Sequence, residues 1–326
     1  MSASFHPTRG HQLWTPSEQE AFRAVVAVDA EMRAMSTTSA NGGYMIPLTL
    51  DPAILLTNSG SINPLRELAT VKQTMTNKWT GVTSAGAASE WKAEAAQAAD
   101  GSPTLGNPSI DVHLGDSFVP YSYEVGQDAV DFLAELSTVL TDSAEQLQAT
   151  AFTTGTGSGQ PQGIITGLAG TASEINAAVA ESFTAADLYA PQNALPARFS
   201  NGASWQTHIA IGNLARQFET TSGSHEFPEL REVPAHILGK RWYENSNMDS
   251  AFNPAETANN YVALYGDVAK AFYIVDRVGS TLELIPNLVG ANQRPTGQRG
   301  ALLFFRTGSE VVVPEAIRML DIPTTA

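Results

Sequence analysis

The chain has 326 residues, of which 43% are apolar, with 18 Lys and Arg against 33 Asp and Glu and no cysteine. That length buries a sizeable core in one or two domains, and the missing cysteines exclude disulfides, thiolate metal sites and cysteine nucleophiles. A formal charge of −15 excludes a broad nucleic-acid-binding face, because affinity for phosphate comes from Lys and Arg.

Residues 1–14 hold two histidines, a proline and no apolar stretch, so no signal peptide is expected and synthesis in the cytoplasm is. No apolar run reaches membrane-spanning length; the densest is Ala301–Phe305. Residues 1–43 read as a leader. Thr15-Pro16-Ser17-Glu18 is a capping box with proline at the first helical position, which predicts a helix from Pro16 to Ala34. Phe22, Val25, Val26 and Met32 make only a partial stripe on it. Asn41–Pro47 then opens the main body, with short helical segments expected at 52–57 and 64–69 and a strand over 70–82.

Thr83–Asn107 is unlike the rest. It holds eight alanines and only two large apolar side chains, Trp91 and Leu105, too little to offset its own ordering entropy. Strand-like sequence on both sides predicts a long protruding β-hairpin over 70–114, with a disordered loop as the alternative, and an isolated hairpin is marginal in water. It therefore needs another surface to lie on. Trp91 is the natural anchor, with Glu90, Lys92 and Glu94 at the rim.

Strand character returns at 118–125, and a helix is predicted over 128–154 with Asp128 as its N-cap. Val130, Leu133, Leu136, Leu140, Ala144, Leu147 and Ala151 keep one face apolar. At roughly 1.5 Å per residue this rod is about 36 Å long. Gly155-Thr156-Gly157-Ser158-Gly159-Gln160-Pro161-Gln162-Gly163 follows it. A phosphate cradle needs its glycines before a helix N-terminus, and these come after a C-terminus, where carbonyls repel phosphate. Gly155, Gly157, Gly159, Pro161 and Gly163 are read instead as a left-handed helix stop and turn. Nucleotide binding, the one enzyme-like alternative, rests on this loop alone.

From 164 to 285 helices alternate with strands, as in an α/β lobe: helix from Thr184 to Leu195, strand 204–210, helix 211–220, a strand end at 236–240, and strands 261–265 and 271–275 around Gly266-Asp267. The tail carries strands 301–306 and 310–313, with Thr307-Gly308-Ser309 as the turn.

No constellation for chemistry emerges. His6, His11, His113, His208, His225 and His236 show no metal-ligand spacing. Gly157-Ser158-Gly159 is no nucleophile elbow. Glu90 with Glu94, and Asp128 with Asp131, read as solvated faces or caps, and Gly266-Asp267 as an ordinary turn after a strand. No catalytic, cofactor or metal site is expected, which favours a structural protein over an enzyme.

Several segments, in order, resemble the major capsid proteins of tailed bacteriophages with the Hong Kong 97 fold. They are Gly42-Gly43-Tyr44-Met45-Ile46-Pro47; Pro64-Leu65-Arg66 with Ala69-Thr70-Val71; Trp91-Lys92-Ala93-Glu94; Ser122-Tyr123-Glu124 through Asp128; Ala151-Phe152 through Gly163-Ile164; Leu238-Gly239-Lys240; Tyr265-Gly266-Asp267; and Val313-Pro314-Glu315-Ala316. Together they span about residues 41–320.

The resemblance implies an α+β fold with an N-terminal arm (1–43) and an extended β-hairpin loop (73–114). It implies a peripheral domain with the long spine helix, built from 44–72, 115–163 and 286–326, and an axial α/β domain (164–285). It further implies a homo-oligomer of pentamers and hexamers in the icosahedral shell of a virion that encloses double-stranded DNA. A separate scaffolding protein, a portal and a possible decoration protein would be its partners, with no cofactor, no membrane and only non-specific proximity to DNA. The leader is too short for the fused scaffold that some relatives carry. Others cross-link a loop lysine to an asparagine with the help of a glutamate. Lys92 resembles that lysine, but Gln298 and Phe305 stand roughly where the partners would fall, so no cross-link is expected. The alternative within the fold is an encapsulin, a bacterial compartment shell.

Overall fold

A computed structural model of the chain describes residues 56–95, 97–128, 132–277 and 281–325. The leader, the helix expected at 16–34 and the Gly-Gly-Tyr block lie outside these residues, as does most of the segment at 52–57.

The described chain begins with a one-turn helix, α1 (Leu65–Leu68), whose Leu65 is fully buried, and strand β1 (Thr70–Thr74). The strand expected to continue to Val82 breaks at 75–77, where the Thr74 hydroxyl accepts from the Thr76 N–H at 3.2 Å. Strands β2 (Lys78–Thr80) and β3 (Thr83–Ser84) then run outward, and β4 (Leu105–Gly106) and β5 (Ser109–Asp111) return, with β2 paired to β5 and β3 to β4. Strand β6 (His113–Ser122) leads into helices α2 (Tyr123–Asp128) and α3 (Phe132–Thr154).

Beyond the glycine stretch come α4 (Ile164–Leu168), β7 (Glu174–Asn176), α5 (Ala185–Ala194), α6 (Ala197–Ser200), β8 (Ser204–Thr207) and α7 (Ile209–Arg216). Thr184 starts α5 by donating both its N–H and its hydroxyl to Asp187 Oδ2, at 2.8 and 2.7 Å. His208 starts α7, its Nδ1 accepting from the Ala210 N–H at 3.1 Å. Strands β9 (His236–Ile237) and β10 (Lys240–Glu244) form a hairpin around Leu238-Gly239. Both turn residues have positive φ, 50° and 70°, the geometry that matches strand twist. Strand β11 (Tyr261–Gly266), helix α8 (Val268–Ala271), and strands β12 (Phe272–Arg277), β13 (Thr281–Ile285), β14 (Gln298–Val311) and β15 (Ile317–Asp321) complete the described elements.

Two sheets organise the body. In the five-stranded sheet β14 is the axis: β6 pairs with it on one side, and β12 and β13 pair with its two halves on the other, while β1 runs parallel to β12. Alternate residues Ala301, Leu303 and Phe305 are buried against Leu136, Leu140 and Ala144 of α3. The six-stranded sheet has the order β7-β15-β11-β8-β10-β9. One core is centred on Trp205, Tyr265, Leu188, Ile211 and Leu230. Another draws Phe152, Ile164, Phe272 and Ile274 together with Leu264, Ile317 and Met319, so it joins the two sheets.

Several expectations are corrected. Thr307-Gly308-Ser309 is no turn but lies within the last third of β14, and all three residues are buried. The glycine serves packing, since a Cβ there would lie 2.1 Å from the carbonyl oxygen of Asp111. The expected boundary at 285 does not follow the sheets. Helix α8 carries the chain out of the six-stranded sheet, so β12 and β13 join the five-stranded one, and β15 returns between β7 and β11. Strand 118–125 ends at Ser122, and Asp128 lies within α2 instead of capping a long helix, while Val130 and Asp131 lie outside the described residues. On α3, Leu133 and Leu147 are exposed, because the buried side passes from 136, 140 and 144 to 149, 152 and 153 as the helix meets the inter-sheet core.

Candidate functional site

Residues 78–111 leave the five-stranded sheet as an arm. Its base is packed: Ile110 is 1% exposed, and the Trp79 ring meets the Tyr273 ring edge-on at 5.6 Å. The Val112 N–H donates to the Asn77 carbonyl at 2.9 Å and the Gly81 N–H to the Pro108 carbonyl at 2.9 Å. Beyond the second ladder, no helix or strand forms among the described residues of 85–104. Glu90 ties this stretch together by accepting the Ala99 N–H at 2.8 Å. Ser102 donates its hydroxyl and N–H to Asp100, which hold that carboxyl below its ordinary range.

The sequence-predicted contact residues gather at the tip. Glu90, Trp91, Lys92 and Glu94 are all exposed, and the indole of Trp91 is as open as in a free chain. Val82 and Leu105, at the β3–β4 ladder, are exposed as well. Apolar residues carried this way signal a surface meant for contact.

A second apolar surface was not foreseen. On the side of the five-stranded sheet away from α3, Leu114 and Phe118 of β6 are exposed, next to half-buried Leu302 and Phe304 of β14. The Phe118 ring covers Gly300, where a Cβ would lie 2.4 Å from it. The signal was present in the alternation Leu114-x-Asp116-x-Phe118, which sets alternate side chains on one face.

The glycine stretch is a joint between α3 and the sheets. Gly155 is not left-handed; it is needed because a Cβ would meet the Pro161 and Ala151 oxygens at 2.2 and 2.4 Å. Gly163 is equally confined, by the Gly155 nitrogen and the Thr153 oxygen at 2.5 Å each. The left-handed residues are Gly157 and Gly159, at φ 77° and 72°. The Gly163 N–H donates to the Gly155 carbonyl at 2.8 Å and closes the loop, and Pro161 is buried beneath it. Ser309 of β14 then grips the loop, its hydroxyl donating to the Gln162 carbonyl at 2.8 Å.

Two later blocks also meet. The Asp267 N–H donates to the Ala316 carbonyl at 2.9 Å, and Gly266 is confined because a Cβ would sit 2.3 Å from that oxygen. Asp267 Oδ1 accepts from the Lys270 N–H at 3.3 Å and so caps α8. These signature residues hold backbones together at the junction of the sheets.

Electrostatics add no catalytic constellation. Among the described residues no group of three or more His, Asp and Glu could hold a metal, and no helix is long and apolar enough to cross a membrane. Asp321, 1% exposed, is pushed up to about 6 by burial, against the Asn260 N–H that it accepts at 2.7 Å. Neighbouring Glu174 and Asp249 add to the rise. Burial also raises the Glu310 carboxyl, with Asp111 adding to the rise and Lys78 opposing it. Between Lys92 and Arg198 the sequence has no Lys or Arg at all, so the charged side chains of α2 and α3 are all acids, among them Glu124, Glu135, Asp142 and Glu145.

The profile of the phage capsid family matches residues 42–322. Among solved structures, the capsid of a native GTA particle superposes with a TM-score of 0.75 at 20% identity, over 89% of this chain and 99% of that one. The Mycobacterium phage Adephagia structure gives 0.64 at 13% identity, over 89% and 99%, and the Gordonia phage Cozz structure 0.61 at 13%, over 88% and 94%. At such identities these likenesses speak for the fold. No curated protein matches the chain.

Proposed function

The chain belongs to the phage capsid family and is a structural subunit of a tailed-phage capsid shell; from that premise we propose how it closes the shell. The arm at 78–111 lies across a neighbouring subunit, with Trp91 as its anchor and the open face around Leu114 and Phe118 as its receiver. The observation that carries this reading is the exposure of Trp91 at the end of an arm whose base alone is packed. A two-stranded ladder without a core of its own gains order only by covering something.

In this reading the α/β lobe around the six-stranded sheet is the axial domain, surrounding the five- and six-fold axes, and the five-stranded sheet with α3 is the peripheral domain. The alanines and glycines of the arm suit contacts that must serve both pentamers and hexamers. The stretch without Lys or Arg that includes α3 supports an acidic lumenal wall, which leaves incoming double-stranded DNA mobile. A separate scaffolding protein and a portal complete assembly in the host cytoplasm, and a decoration protein is a further candidate partner. Encapsulin function is not favoured by the family match. A gene beside a large terminase and a portal would agree with that.

The test is electron microscopy of the purified chain, alone and expressed with its neighbouring genes. Wild type is expected to form closed shells or rings of five and six. Trp91→Ala is expected to keep the subunit's melting temperature and lose most closed shells. Normal shells from that variant would remove Trp91 from the contact.

A further inference from the structure

Gly308 lies where β14, its neighbour β12 and the base of the arm meet, and its surroundings are tight. A Cβ there would stand 2.1 Å from the Asp111 oxygen, 3.0 Å from its carbonyl carbon and 3.3 Å from Ile110 Cγ2. Asp111 ends β5, the last strand of the arm, and β6 begins two residues later. The close approach therefore sits at the point where the chain passes from arm to sheet. The other supports cluster there too. Ile110 is buried, Trp79 leans on Tyr273, Lys78 Nζ is 3.5 Å from Asp111 Oδ1, and Arg277 donates to Asn77. Two further glycines keep the ladder narrow. Gly81 lies under the Trp79 ring, 2.4 Å from where its Cβ would be, and Gly106 has the Thr83 hydroxyl at 2.6 Å.

We propose that the contact between Gly308 and the backbone of Asp111 is a seat that fixes the angle at which the arm leaves the sheet, and that this angle sets shell curvature. The seat itself follows from the contacts above; its link to curvature rests on the shell function just proposed. Contact between Cβ and a backbone oxygen needs about 1 Å more room than the seat offers. Across a ladder whose strands are about 4.8 Å apart, 1 Å tilts the arm by roughly ten degrees, which carries a tip some 30 Å away by on the order of 5 Å. Ile110 acts differently: it holds the arm down without setting the angle.

The chain has no cysteine, so spin labels can be placed cleanly at two introduced sites, Ser102→Cys on the arm beyond its second ladder and Thr138→Cys on α3. Electron-electron double resonance on the unassembled subunit then reads the distance from arm to helix. Gly308→Ala is expected to shift the mean by several ångströms. Ile110→Ala leaves the seat without a clash, so it is expected to broaden the distribution about the wild-type mean, and it keeps the proposal testable if the glycine variant fails to fold. An unshifted mean in folded Gly308→Ala, or a shifted mean in Ile110→Ala, overturns the seat. With the seat upheld, Gly308→Ala is expected to change shell diameter or leave shells open under conditions where wild type closes them. Wild-type diameters from that variant would overturn the link to curvature. Failure of wild type to close under any condition would instead count against the shell reading.

Discussion

Asp321 ends β15 almost without solvent contact, and its carboxyl titrates near 6 where an unfolded chain would titrate near 3.8. The folded state thus holds the proton more tightly than the unfolded one. The stabilising contribution of this group is complete below about pH 4 and is lost as pH rises through 6. Asp321→Asn keeps an acceptor for the Asn260 N–H, offers Glu174 a donor, and has no charge to bury. It is expected to stabilise the subunit by about 2 kcal/mol at pH 8 and to change little at pH 4. Thermal melts of both proteins at the two pH values check this, and a variant less stable at pH 8 would contradict it. Nothing in the sequence pointed to Asp321, because its neighbours Glu174, Asp249 and Asn260 come from distant segments.

The long helix shows how far periodicity reaches. The stripe read from spacing is correct at Leu136, Leu140, Ala144 and Ala151, and wrong at Leu133 and Leu147. Spacing locates a face, but which residues along it meet a partner depends on how the helix crosses the sheet. Leu140, 1% exposed, packs against the sheet, so Leu140→Ala is expected to cost about 3 kcal/mol, whereas Leu147→Ala, half exposed, should cost well under ~1 kcal/mol. Denaturant titration of both subunits distinguishes them, and equal losses would mean that the buried side is misassigned. Local signals were legible where chemistry is local: the helix expected from Thr184 starts there, held by Asp187, whereas 236–240, read as a strand end, is a hairpin turning at Leu238-Gly239. Thr307-Gly308-Ser309 was misread as a turn because glycine in a strand and glycine in a turn look alike until the neighbouring backbone is seen.

For the whole molecule, eight short blocks in order carried the family, and the family profile covers 42–322. What the sequence could not give was the division between sheets, since β12, β13 and β15 are exchanged between the two at α8 and Pro314. The open apolar face had a signal in the alternation of β6, but its extent emerged only with the pairing of β6 and β14. Covalent chemistry has a definite expectation at this scale. Gln298 begins β14, and Phe305 is buried over Gly115, so neither offers the carboxylate that would assist an amide bond to Lys92. Mature particles boiled in detergent should therefore run as a single band near 34.6 kDa on a gel. A ladder of multimers would show cross-linking.

The position of β15 bears on timing. Residues 317–321 lie between β7 and β11, so a strand made late in synthesis must slot into a sheet whose other members were made up to a hundred and more residues earlier. Until it arrives, β7 has no neighbour in the sheet and one flank of β11 is bare. A nascent chain on the ribosome thus lacks a finished lobe. Such long-range pairing is slow, and the six-stranded sheet stays incomplete until residues 317–321 are in place between β7 and β11.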